Sequence, residues 1–528
     1  MVEELNETGI VVTNLTTDNA SINISMMKLL GANISDYSDL KVTLDLKNIL
    51  GKPIVVICDT AHLIKIVRGV FGDLKCIFTT EGNMINWDQI RALLNLQVSQ
   101  EYHLGNKLRK DHVYYHNKKM KVCLATQLLS DSVADSLTWC QNNLSDPMFQ
   151  DTSETCRFLR TFNAAFDMLD SKSRFGFGTK ASLDKTNKEE WMKRSAEIEK
   201  YILSLHYANP NKQTETEPPA KKTKKDVNTL LVNSLRKRGF LGFLVNFRSF
   251  KFLYEEYVET NILQYILGHK TSQDHLERMF SSVRSSLGSN NNPTVNQFKC
   301  ALRKIVLGAT LTSSLNQNCT IQDNTSILLP VDQSSNNSYF EEQFDLEELE
   351  DSPSEIYIES LNHKSVYRSS VINYIAGFIQ RKISRKEQCV FCKLYLSNLK
   401  VVCSGTLLNQ KNRGWLTKPA ETVELTVRIV DTLYNRLREE TKEDFFKERN
   451  LVLKLSNQTS RVIHDLHPTI FSGLDDHVDV GGSNRSLLIT KIVGCYVTLR
   501  SRHLCRELNN NRVSLRQNLT KLVTFKNQ

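Results

Sequence analysis

The sequence has no run of about 18 apolar residues, the least a membrane-spanning helix needs. Its best stretch, Ile49 to Val67, is broken by Lys52, Asp59, His62 and Lys65. No membrane partner is therefore expected. The opening Met1-Val2-Glu3-Glu4-Leu5 is acidic and lacks an apolar core, so it does not read as a secretory signal. There is no G-x-x-x-x-G-K-[ST] loop, so any nucleotide site is of another type. There is no internal repeat. The 12 cysteines include one C-x-x-C pair, Cys389 and Cys392; the others are scattered and read as reduced intracellular thiols. Collagen, mucin and disulfide-stapled mini-protein classes are excluded. What remains is 528 residues, 40% hydrophobic and 24% charged, an ordinary globular balance. That length allows about three or four domains.

Net charge is +10, unevenly spread. Residues 341–360 carry nine acidic side chains and no Lys or Arg, whereas residues 491–528 carry eight Lys or Arg against Glu507 alone. Such asymmetry suits a polyanion partner. A solvated surface is the alternative.

Residues 9–18 read as a β-branched strand ending on Asp18, and Asn19 to Leu30 has helical apolar spacing. Residues 53–58, Pro-Ile-Val-Val-Ile-Cys, read as a strand buried on both faces, with Asp59 and a helix following. This order predicts an α/β start. From about 85 to 270 the pattern is mainly helical, over Ile85 to Leu96, Met120 to Cys140 and Glu154 to Leu169. Residues 209–228 interrupt it with Pro210, Pro218, Pro219 and a lysine cluster at 221–225, an exposed loop that resembles a nuclear-localisation patch. Residues 311–364 are polar, then acidic, and predict a disordered linker. Residues 365–528 read as mostly helical.

Four segments could carry chemistry. Asp59 ends a buried strand, where α/β sheets place functional groups; capping the next helix is the alternative. Asp274 and Glu277 share one helix face at i,i+3, with Leu276, Met279, Phe280 and Val283 expected on the buried side. Together with Asp59 these acids would suit Mg²⁺ and, with two ions about 3.5–4 Å apart, phosphoryl transfer. A plain surface helix explains the same spacing. Residues 118–134 form a third segment. In the fourth, Asn163 and Asp167 at i,i+4 could read a purine edge together or be buried helix polar groups.

Taken in order, these segments resemble the P-element transposase family, including the THAP-type transposases of animals. The resemblance rests on Gly9 to Gly31 with its turn from Asp18 to Asn23, and on Asp59-Thr60-Ala61-His62-Leu63-Ile64-Lys65. Trp87 to Leu94, Lys107 to His112, Met120 to Ala134, Phe162 to Asp167 and Asp274 to Thr294 follow in order. Tyr374 to Phe378 with Cys389-x-x-Cys392 resembles the C-terminal region.

The resemblance implies an RNase H-like α/β catalytic domain interrupted by a mainly helical GTP-binding insertion, plus a mainly helical C-terminal region. The implied boundaries are 1–95 and 266–310 for the two catalytic parts, 96–265 for the insertion, and 365–528 for the C-terminal domain. Implied catalytic residues are Asp59 and Glu277 as Mg²⁺ ligands with Asp274 beside them; implied GTP contacts are Lys107, Asn163 and Asp167. The first triad aspartate, on an earlier strand, and the THAP zinc module are expected to be missing, and Asp18 is not read as that aspartate's equivalent. The expected function is cut-and-paste DNA transposition in the nucleus, Mg²⁺-dependent with GTP as cofactor, acting on transposon ends and target DNA as a homo-oligomer. The alternative is an inactive, host-retained remnant that binds nucleic acid or protein. Cys389 and Cys392 have zinc-ligand spacing, which Cys403, His464, His467, His503 or Cys505 could complete; two ordinary thiols are the alternative.

Overall fold

The structure, a computed structural model, describes residues 2–207, 230–288, 290, 292–306, 365–387, 389–396, 406–414, 416–474, 478–479, 482–483 and 485–505. The expected basic loop 209–228, the linker 311–364, Cys403 and the basic tail beyond 505 lie outside the described residues. The chain divides into two compact units, 1–338 and 339–528.

The first unit begins with a short helix, α1 (Val2–Glu7). A three-stranded sheet follows, made of β1 (Asn14–Thr17), β2 (Thr43–Lys47) and β3 (Pro53–Cys58) in the order β1-β3-β2. β1 runs parallel to β3, with Thr17 opposite Cys58, and β2 runs antiparallel to it. Ile54, Val55, Val56, Ile57 and Cys58 are fully buried, as a strand covered on both faces requires. α2 (Ser21–Leu29) follows β1, and α3 (Thr60–Leu74) follows β3 directly after Asp59.

β4 (Cys76–Thr79) and β5 (Met84–Asn86) form a hairpin that β7 (Leu205–His206) joins at the β4 edge. Between them run α4 (Trp87–Gln100), α5 (Lys110–Val113), α6 (Val122–Leu128), α7 (Asp131–Asn143), α8 (Ser153–Leu169), β6 (Leu183–Asp184) and α9 (Lys188–Leu203). The run expected from Met120 to Cys140 is thus two helices. Ser130 adopts extended backbone between them, and its hydroxyl donates back to Gln127 C=O at 2.8 Å.

α10 (Arg238–Leu253) lies within the stretch expected as the insertion, yet it packs on β3 and α3. It is apolar around most of its circumference, as a fully enclosed helix should be. A Cβ on Gly242 would stand 2.3 Å from Leu63, and one on Gly239 would stand 3.0 Å from Ile66, so both glycines allow close approach to α3. Asn246 on α10 acts like a strand neighbour for the end of β3. It accepts from Cys58 N–H at 2.8 Å and donates to Cys58 C=O at 2.7 Å. Ser249 donates to Val56 C=O at 2.6 Å. These contacts satisfy backbone groups that the short β2 leaves unpaired.

One aromatic chain ties the elements together. Phe71 on α3 meets Trp87 on α4 and Phe158 on α8; Phe158 meets Phe162, and Phe162 meets Phe240 and Phe243 on α10, with centroids 4.7–5.7 Å apart. Such edge and tilted pairs add about 0.5–1.5 kcal/mol each beyond burial. They fix α8 against the sheet. β8 (Tyr265–Ile266) pairs with β6, and α11 (Asp274–Ser286) and α12 (Val295–Val306) close the described part of the unit.

The second unit is helical: α13 (Val366–Ser384), α14 (Val390–Leu396), α15 (Thr406–Lys411), α16 (Glu421–Thr441), α17 (Leu451–Leu466) and a helical stretch over 485–505. Its core includes Ile372, Ile379, Val427, Val430, Leu455, Ile492 and Tyr496. Asp431 is fully buried, held by Arg368 at 2.6 and 2.9 Å and by the Tyr496 hydroxyl. Among the described residues, no helix is long and apolar enough to cross a membrane.

Candidate functional site

Two parallel strands end on aspartate at the same level. Asp18 follows Thr17 and Asp59 follows Cys58, which are register partners, and Asp59 N–H donates to Thr17 O at 2.7 Å. Carboxyl ends of adjacent parallel strands are where α/β sheets gather ligand-binding groups. The sequence signal for Asp18 was the same strand-then-aspartate pattern that singled out Asp59.

The environments of the two acids differ. Asp59 is 4% exposed. Burial raises its pKa to about 6, with Asp274 the next cause and Glu277 adding to it; Gln273 N–H, at 3.4 Å, and Lys65 oppose the shift. Asp18 is half-buried and moves the other way. Ala20 N–H at 3.0 Å and Asn23 Nδ2 at 2.8 Å both donate to it and hold its pKa down. His62 is lowered by burial and by Lys65, while Asp18 and Glu277 pull it up. Asp18, Asp59, Asp274 and Glu277 therefore share one electrostatic neighbourhood.

α11 reaches the sheet edge through residues 268–273. Gly268 N–H donates to Ser171 Oγ at 3.1 Å, and His269 N–H donates to Ser171 C=O at 3.1 Å. A Cβ on Gly268 would meet Leu169 C=O at 2.3 Å, so only glycine fits there. His269 is buried between Asp170 Oδ1, 3.6 Å from its Nδ1, and the ring of His275. Thr16 Oγ1 donates to Thr271 C=O at 2.8 Å, and Gln273 Nε2 donates to Thr16 C=O at 3.4 Å. The segment thus links the end of α8 to β1 and Asp59.

The apolar stripe expected to bury α11 is only partly covered. Val283 is buried, whereas Leu276 is 51% and Phe280 43% exposed. The reason is a small partner surface: Val283 packs with Ala301 and Ile305 of α12, joined by Leu287 and Phe298. Glu277 is exposed.

A cavity of about 640 Å³ opens beside this edge. Its walls include all three expected nucleotide contacts, Lys107, Asn163 and Asp167, together with Ala61 and Asp274 next to Asp59. Asn163 Nδ2 donates to Asp167 Oδ2 at 3.3 Å, as i,i+4 neighbours on α8 can. Burial raises the Asp167 pKa to about 6. Lys180, 3.9 Å away, and Lys172 oppose that shift, while Asp131 and Asp170 reinforce it. Lys172 and Lys180, which the sequence reading passed over, also line the cavity.

The donor set at the sheet edge is all carboxylate oxygen, which suits Mg²⁺. Mutual repulsion among these acids is what a divalent ion would relieve. Among the described residues, no three His, Cys, Asp or Glu side chains converge closely enough to hold a metal as they stand. In the second unit, Cys392 is buried in the core. Burial pushes its thiol up to about 11, with Cys389 the next cause. His464, one of the expected zinc partners, is 79% exposed.

The family model for a TNP-like GTP-binding insertion domain matches residues 61–182. That for a TNP-like RNase H C-terminal domain matches 269–303, and that for the C-terminal domain of DNA transposase THAP9 matches 362–506. The chain is 26% identical to human DNA transposase THAP9 over 527 residues, covering 96% of this chain and 55% of that protein. It is 27% identical to the Drosophila melanogaster transposable element P transposase over 388 residues, covering 72% of this chain and 46% of that one. The chain spans about half the length of the curated relatives it matches. A solved Drosophila P element transposase strand transfer complex aligns with a TM-score of 0.47 at 24% identity, covering 58% of this chain and 62% of that one. With relatives in human and fly and three family models matching in chain order, the chain is similar to the P-element-like transposase family.

Proposed function

We propose that this chain acts in cut-and-paste DNA transposition, cleaving and rejoining phosphodiester bonds at element ends in the nucleus, with GTP held as a cofactor. The observation that carries the reading is the shared cavity. Lys107, Asn163 and Asp167 line it together with Asp274, beside the buried Asp59. A purine-reading pair and an acidic edge in one cavity suit a nucleotide cofactor working next to phosphoryl transfer.

Asn163 and Asp167 would read the guanine edge, since an ionised carboxylate accepts from ring and exocyclic N–H groups. Lys107 supplies a cation for the phosphates. Asp59, Asp274 and Glu277 would hold Mg²⁺, with Asp18 beside them after β1. Bound Mg²⁺ supplies nucleophile activation and leaving-oxygen stabilisation. Asp59 ionises near pH 6, so it is an anionic ligand at neutral pH.

The test is Mg²⁺-dependent cleavage of DNA carrying the element's terminal repeats, by wild-type chain and by Asp59→Asn. Cleavage that the substitution reduces at least 100-fold supports the reading. A second reading, an inactive nucleic-acid- or protein-binding remnant, is favoured by the exposed position of Glu277. It predicts DNA binding without cleavage, unchanged in Asp59→Asn.

A further inference from the structure

The loop from 172 to 180, Lys-Ser-Arg-Phe-Gly-Phe-Gly-Thr-Lys, leaves the end of α8 beside the cavity. It holds two of the most exposed large apolar side chains among the described residues, Phe175 at 89% and Phe177 at 78%. Single exposed apolar residues are common, but two rings on one short loop mark a contact surface.

The loop is ordered by its own backbone. Gly176 N–H donates to Ser173 C=O at 3.3 Å, Lys180 N–H to Phe177 C=O at 3.3 Å, and Ala181 N–H to Gly178 C=O at 3.1 Å. Ser182 Oγ donates to Arg174 C=O at 3.3 Å, and Ser173 bridges to Ala181. A Cβ on Gly176 would stand 2.1 Å from Lys180 C=O, and Gly178 has φ +60°, so both glycines are needed for this closure. The two rings are therefore held out to solvent by a fixed frame.

Their surroundings are cationic. The Arg174 guanidinium lies 5.7 Å from the Phe175 ring centroid and 5.0 Å from that of Tyr265. Lys172 and Lys180 stand at the two ends of the loop, on the cavity wall, each facing a carboxylate, Asp170 at 3.0 Å and Asp167 at 3.9 Å. Exposed aromatic faces interleaved with Lys and Arg are what unpaired nucleic-acid bases and their phosphates require. A protein partner would need no such density of cations around the rings.

We infer that Phe175 and Phe177 form a stacking platform for unpaired DNA bases, with Arg174 sandwiching one ring and Lys172 and Lys180 facing the phosphates. This inference rests on the DNA-acting reading above and adds a strand-binding surface to it.

The test uses fluorescence anisotropy of the full chain with a labelled single-stranded oligonucleotide and with an abasic strand of the same length. Phe175→Ala and Phe177→Ala should each weaken binding of the base-bearing strand about tenfold, the order of one base–aromatic stack. The abasic strand should bind all three proteins equally, because its phosphates still meet the lysines. GTP affinity should not change, which shows that the fold is intact. Equal binding of the base-bearing strand by wild type and both variants would overturn the platform while leaving the transposase reading standing. A variant that changes self-association but not DNA affinity would also overturn it, making the surface a protein interface. Failure of the wild-type chain to bind any DNA would contradict the DNA-acting reading itself and remove the platform with it.

Discussion

The proposed nucleotide cavity and the carboxylate edge share a wall but are anchored differently. Asn163 and Asp167 ride on α8, whose Phe158 and Phe162 lock into an aromatic chain running from α3 to α10. Glu277 rides on α11, whose core contact is one small cluster around Val283 and whose Leu276 and Phe280 stay largely open. Asp59 sits between these extremes, fixed by β3 but electrostatically dependent on the acids of α11. The cavity is thus preformed. The carboxylate edge is assembled by residues 268–273 and leaves Glu277 at the surface. Binding of GTP should tolerate damage to α11, while metal binding should not.

The largest expected effect on ligand binding lies on the preformed side. Asp167→Asn removes the carboxylate proposed to read guanine, and GTP affinity should fall about 30-fold, on the order of 2 kcal/mol. Calorimetric titration checks this, and a change under threefold would count against the assignment. The same carboxylate gives a pH signature. With a folded pKa of about 6 it is ionised at pH 7.5 and largely protonated at pH 5, so GTP binding should weaken as pH falls through 6.

On the carboxylate side the same upward shift is read in stability rather than in binding. The folded pKa of Asp59, about 6, lies above its ordinary value of 3.8, so the folded state holds the proton more tightly. Stability from this group is present below about pH 4 and is lost as pH rises to 6. Asp59→Asn should therefore stabilise the metal-free chain at pH 7.5, by about 2 kcal/mol, and abolish the rise in Tm that Mg²⁺ gives the wild type. Destabilisation by Asp59→Asn, measured in denaturant melts, would contradict burial as the cause of the Asp59 shift.

Smaller effects probe the anchoring of α11. Val283→Ala should cost about 1 kcal/mol and weaken the Mg²⁺ response, with GTP affinity unchanged. Leu276→Ser, on the open face of the same helix, should change stability by less than about 0.5 kcal/mol. Equal losses from the two substitutions would mean that the open face is covered.

Much of this was legible in the sequence because burial writes itself into apolar pattern. The run from Pro53 to Cys58, the helix after Asp59, and α8 with its Asn163 and Asp167 were all visible from periodicity. β2, β4, β5 and β7 were not, since each has five residues or fewer and too little alternation to stand out. The role of α10 was hidden for another reason. A helix apolar on most sides shows that it is enclosed but not by what, and Asn246 reveals its bond to Cys58 only in three dimensions. The stripe on α11 misled because spacing predicts which side chains share a face, not whether a partner covers it. Ser171, Gly268 and His269 were passed over because their function is contact between segments about 97 residues apart.

The central claim is that the cavity is a guanine-nucleotide site opening on an acidic edge. Its most direct test is titration of the purified chain with GTP and with ATP at pH 7.5, repeated with Asp167→Asn. Saturable GTP binding at least tenfold tighter than ATP, with the preference lost in Asp167→Asn, is the predicted result. Equal affinity for the two nucleotides, or an unaltered preference in the variant, would contradict the account.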